Sequence, residues 1–322
     1  MAEDISVADW IGHLDKDYLS TFIKDGGSTI KFVVTDDERN PIVKDMVRSR
    51  GEELGYLVVG IDSEDSRFHM PQDIFFSMAS QVDWRLTARK FILRLAKDLH
   101  YRTSDIDATS DGNVYEAIGN ANNMNSEAIL MALRPGFQDR IFRNRSMSKD
   151  FRVAMFHLCN LEGTPRDHIY YGGQPIIDWL TGTNNKVTSV RPFSIYNTIN
   201  RTTAKYFLES ALYWFHYVGF TGTLMMLDNS RVTVVKRPTD GSRYYTRPMA
   251  LESYQLLREF IDSAERMTAT MMLTISTSEF LNVESGPRSR GIGAYPALQT
   301  RIMDDVKDRN LINPVASLVR LA

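Results

Sequence analysis

The chain has 322 residues, with 38 Lys+Arg against 40 Asp+Glu, a formal net charge of −2, and 43% hydrophobic and 24% charged residues. These proportions exclude a disordered or collagen-like polypeptide, and the balanced charge argues against whole-surface attraction to nucleic acid or anionic membrane while leaving room for a local basic patch. The single cysteine, Cys159, excludes an internal disulfide and a Cys-rich zinc site; its apolar setting, Met155-Phe156-His157-Leu158, marks it as a buried structural thiol.

Residues Met1-Ala2-Glu3-Asp4 are acidic and lead into no apolar run, so no secretory signal is expected and the chain reads as cytoplasmic. Apolar residues at helical spacing predict a helix over 9–22, broken at Asp25-Gly26-Gly27-Ser28. A strand over 30–34, an acidic loop, a helix from Pro41 to about residue 54 and a strand over 57–61 form a βαβ unit. One or two helices follow over 71–99, the second carrying Arg85, Arg89, Lys90, Arg94 and Lys97. The stretch 100–125 is polar and reads as an exposed loop or boundary, ending in Asn120-Ala121-Asn122-Asn123. Helices are expected through most of 126–216, interrupted near Gly163-Thr164-Pro165 and Gly172-Gly173.

Residues 210–227 carry no formal charge, yet Gly219 and Gly222 break them, so a helix, a turn and a buried strand over 223–227 explain them better than a membrane span. A helix over 249–264, a strand over 271–276 and a last helix over 295–308 complete the chain. The alternation predicts an α/β fold with a mostly parallel sheet flanked by helices, and a large helical insertion between strands two and three. The expected organisation is 1–99 and 206–322 as two parts of one core, with 100–205 as the insertion.

Ligands of such folds bind at the carboxyl ends of the strands. A phosphate-binding loop there requires glycines, so that backbone N–H groups can close around the phosphates, followed by Gly-Lys-Ser/Thr. The loop after the first strand reads Thr35-Asp36-Asp37-Glu38-Arg39-Asn40-Pro41-Ile42-Val43-Lys44, with three carboxylates, no glycine and a proline that removes one donor. Capping of the next helix by Asp36 and Asp37 is the simpler role. Leu224-Met225-Met226-Leu227-Asp228 has the form of a strand ending in a Mg²⁺-holding carboxylate, but Asn229 follows where a Glu would activate water. The histidines show no metal-ligand spacing, no Gly-x-Ser-x-Gly elbow occurs, and Asp304, Asp305 and Asp308 read as a solvated helix face rather than a metal cluster. Arg140, Arg143, Arg145, Lys149 and Arg152, near Phe142 and Phe151, suit a nucleic-acid backbone, and equally an amphipathic helix with snorkelling arginines.

Asp25-Gly26-Gly27-Ser28-Thr29-Ile30-Lys31-Phe32, Trp214-Phe215-His216-Tyr217-Val218-Gly219-Phe220-Thr221-Gly222, the helix segment Tyr254-Gln255-Leu256-Leu257-Arg258-Glu259-Phe260-Ile261-Asp262, and Gly291-Ile292-Gly293-Ala294-Tyr295-Pro296-Ala297-Leu298 with Asp308-Arg309-Asn310 together resemble the BREX-type phage-defence P-loop (AAA+-like) ATP-binding proteins. The resemblance implies a P-loop NTPase fold over about residues 20–320 and places Asp228 at the metal-binding position. It puts Asn229 at the catalytic carboxylate, Thr277 at a γ-phosphate-sensing position and residues 35–44, with Lys44, at the phosphate loop. Because the loop and Asn229 depart from the pattern, the expectation is a member with degenerate nucleotide motifs, without catalytic residues, cofactor or metal. Such a chain would serve as a scaffold or DNA-engaging subunit beside helicase- or nuclease-like defence proteins, away from membranes. The alternative is an ATPase using ATP and Mg²⁺ with an atypical loop completed in a homo-oligomer by Arg288, Arg290, Arg301 or Arg309.

Overall fold

A computed structural model describes residues 5–284, 286, 288–303 and 315–321. The last-helix residues 304–308, Arg309 and the Asp304, Asp305 and Asp308 carboxylates lie outside the described residues.

Helix α1 (Val7–Leu14) starts where the Ser6 hydroxyl accepts from the Asp9 N–H at 3.1 Å. The chain continues as wider π-type turns over Asp15–Ile23, in place of the single regular helix expected. Strand β1 (Ser28–Val34), helix α2 (Asn40–Glu53, with proline in its first turn) and strand β2 (Leu57–Asp62) make the first βαβ unit. Then come α3 (Pro71–Ala79), α4 (Trp84–Asp98), α5 (Val114–Asn122), α6 (Ser126–Phe137), α7 (Lys149–Leu161), α8 (Gln174–Leu180), the single turn α9 (Val187–Val190) and α10 (Ala204–Val218). The polar stretch 100–125 is therefore not all loop. The Asn113 side chain caps α5, and Asn123, left-handed at φ 55°, ends it. Strand β3 (Thr223–Asp228), helix α11 (Arg247–Asp262), strand β4 (Thr270–Ser276), helix α12 (Pro296–Met303) and strand β5 (Leu318–Arg320) complete the described chain.

The described residues divide into two compact units, 5–74 with 220–321, and Phe75–Gly219; the division falls inside α3. In the first unit all five strands pair in parallel, in the order β2-β3-β4-β1-β5. Strands β3 and β4 are buried along their whole length, which explains their unbroken apolar runs. Leu224, Met226, Met271, Leu273 and Ile275 pack on one face with Trp10, Leu14, Val43 and Val47 from α1 and α2. On the other face Phe32 stacks on Phe280 with ring centroids 5.9 Å apart, and Phe280 meets Tyr254 of α11. Each such side chain contributes about 1.5–3 kcal/mol by leaving water. Gly222 enters β3 so close to the neighbouring chain that a Cβ would lie 2.4 Å from the Ala269 carbonyl oxygen.

The second unit is helical, and aromatic side chains dominate its core. Trp84 lies 5.6 Å from Phe215, Phe91 lies 5.2 Å from Trp214, and Trp179 lies 5.3 Å from Phe207. The indoles of Trp84 and Trp214 donate to the Ala79 carbonyl and the Thr87 hydroxyl. Cys159 is fully buried, and burial pushes its thiol well above the ordinary range, as an inert structural cysteine requires. The uncharged stretch 210–227 resolves into the end of α10, a left-handed Gly219 at φ 110° and β3. No described helix is long and apolar enough to cross a membrane.

Candidate functional site

Parallel strands bring the carboxyl ends of β1, β4, β3 and β2 to one edge of the first unit, where a cleft of about 820 Å³ opens. Its lining includes Thr35, Asp36 and Asp37 after β1, Asp62 and Glu64 at the end of β2, Asp228 and Arg231 after β3, and Thr277 and Glu279 after β4.

Asp62 and Asp228 are register partners at the ends of adjacent strands, so two carboxylates stand side by side. Lys44, in the second turn of α2, answers both. Its ammonium is ion-paired with Asp228 and reaches Asp62 at 3.4 Å. The Asn40 amide, one helical turn earlier, donates to the same Asp228 oxygen at 2.9 Å, and the Ser230 N–H donates to the other at 3.0 Å. Burial works to raise the Asp228 carboxyl, but the Lys44 and Ser230 donors outweigh it and hold the group below the ordinary 3.8. Burial likewise works against the Lys44 ammonium, and Asp228 with Asp62 outweighs it, so that Lys44 stays protonated above the ordinary 10.5.

The loop after β1 has already engaged much of its backbone. The Thr35 N–H donates to the Ser276 carbonyl at 3.0 Å, the Arg39 N–H to the Asp36 carboxylate at 2.8 Å, and the Asn40 N–H to the Asp36 carbonyl at 3.1 Å. Asp36 thus caps the turn into α2. Pro41 has no N–H to offer, Arg39 within the loop is paired with Asp36 at 2.9 Å, and Lys44 is held by Asp62 and Asp228. Around a triphosphate this arrangement supplies Asp36, Asp37, Asp62, Glu64, Asp228 and Glu279 against Arg231 and Lys236, with Arg231 itself bonded to Glu64 at 2.9 Å. Its chemistry favours a cation over a polyanion. Among the described residues no group of three or more His, Cys, Asp or Glu is placed to hold a metal ion.

Asn229 lies apart from this edge chemistry. It is fully buried, its N–H donates to the Ile275 carbonyl at 2.7 Å, and its amide reaches the Ser276 hydroxyl at 3.4 Å. Thr277 does line the cleft, with its hydroxyl 3.4 Å from that of Thr233. Of the arginines considered for completing a site across an oligomer, Arg290 is buried, bonded to the Val234 carbonyl and to Tyr244 at 2.6 Å, and Arg301 donates to Asp262 at 2.9 Å. Both are engaged within the chain. Of the residues named from the sequence, Asp228 and Thr277 line the cleft and Lys44 is paired with Asp228, whereas Asp62 and Asn40, which join them, were not singled out. The signal for Asp62 was the same as for Asp228, an apolar strand that ends in Asp.

The basic residues separate into two sets in the second unit. Arg85 and Arg89 turn inward to Glu162, whose side chain is fully buried, and Arg94 donates to the Tyr217 carbonyl. Arg140 pairs with Asp98. Arg143, Arg145 and Lys149 instead line a concavity of about 460 Å³, together with Phe142, Arg152 and Val153.

With this geometry in hand, residues 170–322 match the family model described as BREX system ATP-binding protein BrxC/D. Over that range, somewhat less than half of its length, the chain is similar to the BREX ATP-binding family. The matched range contains Asp228 and Thr277 and starts after Thr35 and Lys44. The likeness is to proteins described as ATP-binding components of the BREX system. No curated protein and no solved structure matches the chain.

Proposed function

We propose that this chain is a BREX-type, ATPase-like subunit that does not hydrolyse nucleotide and serves a defence complex by assembly or by engaging DNA. The observation that carries this reading is the closed Lys44–Asp228–Asn40 network beside Asp62. The carboxylate that would hold Mg²⁺ and the lysine nearest the phosphates neutralise each other. The edge occupied by β1, β3 and β4 is where a P-loop ATPase places its phosphate loop and metal-binding carboxylate, so the sheet order supports a P-loop-like ancestry for the first unit. Its partners, on this reading, are helicase- or nuclease-like defence subunits or further copies of the chain, in the cytoplasm.

The family description favours a second reading, an ATP-binding protein with an atypical loop. Isothermal titration with ATP·Mg²⁺ separates the two. No heat of binding at millimolar nucleotide is expected, whereas micromolar affinity abolished by Asp228→Ala would overturn the first reading and establish the second.

A further inference from the structure

The second unit carries a concave basic face whose composition is more specific than positive charge alone. Arg145 and Lys149 are exposed and have no ion pair among the described residues. Among the described residues Arg143 pairs with Asp139 alone, at 2.8 Å, with both side chains largely in solvent, a pair worth little and easily exchanged. Arg152 donates through Nη1 to the Phe142 carbonyl at 2.9 Å, which fixes the backbone at the rim, and its buried Nε has no hydrogen-bond partner among the described residues. The nearby Asp150 is buried and occupied by the Asn197 amide at 2.6 Å, so it does not neutralise the face. Lys149 opens α7, a helix of 13 residues whose Ser148 cap makes no side-chain hydrogen bond, and the buried Ser148 hydroxyl has no partner among the described residues. The first N–H groups of that helix therefore add to the cationic character of the concavity.

Phe142 supplies the other half of the chemistry. It is 43% exposed yet held edge-on against Phe156, with ring centroids 5.8 Å apart at 65°. An aromatic ring fixed at its edge and open to water, surrounded by guanidinium and ammonium groups, is a platform for a nucleobase. A duplex keeps its bases stacked inside and offers such a ring no face; a single strand does.

We propose that Arg143, Arg145, Lys149 and Arg152 hold the phosphates of a single-stranded nucleic acid while one unpaired base stacks on Phe142. This deepens the DNA-engaging part of the reading above and rests on it. Fluorescence anisotropy of the full chain with a labelled short oligothymidine, an abasic strand of equal length and a duplex tests it. Phe142→Ala is expected to weaken oligothymidine binding about 5- to 100-fold and leave the abasic strand unaffected. Phe142→Tyr should restore the affinity. Neutralising Arg145 and Lys149 together with glutamine should lower the salt slope by about 1.4 for a single strand. Equal affinity for duplex and single strand, with Phe142→Ala silent, overturns the stacking inference while leaving a phosphate-binding face. Absence of binding to every nucleic acid at low salt overturns the face itself, and leaves the nucleotide-free reading of the first unit to its own titration.

Discussion

Lys44 in the first unit is bound on both sides by carboxylates, whereas Arg145 and Lys149 in the second stand in solvent without an ion pair among the described residues. The edge at the carboxyl ends of the strands is thus acidic, and its lysine is already paired. The face free to meet phosphate is built on helices instead. Charge alone does not mark a binding site; what matters is whether its partner already lies within the fold. Arg85 and Arg89 make the same point inside the second unit, since both are basic in sequence and both are consumed by Glu162.

The strongest way to break this contrast is Glu162→Ala. It strands Arg89, which is only 7% exposed, without its counter-charge, and about 3–5 kcal/mol of stability should be lost in denaturant unfolding. A loss under about 1 kcal/mol would mean that Arg89 is not held by Glu162 in solution. Asp228→Ala should cost less, about 1.5–3 kcal/mol, because Lys44 is partly exposed and keeps Asp62. The pH dependence of the same pair follows from its two displaced groups. The Asp228 carboxyl is depressed, so its stabilisation is complete above 3.8 and lost as pH falls through the lower folded value. Lys44 is raised, so its share is complete below 10.5 and lost as pH climbs through the higher folded value. Wild type minus Asp228→Ala should accordingly give a flat stability difference between those limits. A step near neutral pH would implicate another group. Neutralising Arg145 and Lys149 should have the smallest effect on unfolding, within about 0.5 kcal/mol, because neither holds a partner whose loss the fold would register.

The central strands were legible because burial on both faces leaves an uninterrupted apolar run, as in Leu224-Met225-Met226-Leu227. Strand β5 was not, since Leu318-Val319-Arg320 is too short to show a period and exists only through its pairing with β1. Helix α5 was hidden by its asparagines, although Asn113 followed by Val114, Tyr115 and Ile118 carries both a cap and an apolar face. At the site the residue types were readable and their partners were not. That Asp228 would face Lys44 and Asn40 depends on α2 packing beside β3, a contact across more than 180 positions in sequence. The split of the basic residues into paired and available sets is equally a tertiary property, decided by where Glu162 and Asp98 come to lie.

The pairing of β1 also governs the order in which the protein can form. Among the described residues, 28–34 pair with 270–276 and 318–320, so this strand, once made, waits for more than 230 further residues before a neighbour is present. The helical unit Phe75–Gly219 is continuous in sequence and has all its members present long before that. During synthesis the helices should therefore be assembled first, while β1 is left with unpaired edges on both sides, the state in which strand-like segments are most prone to associate wrongly. Ribosome-release or truncation experiments ending before residue 270 would leave this strand without its sheet partners.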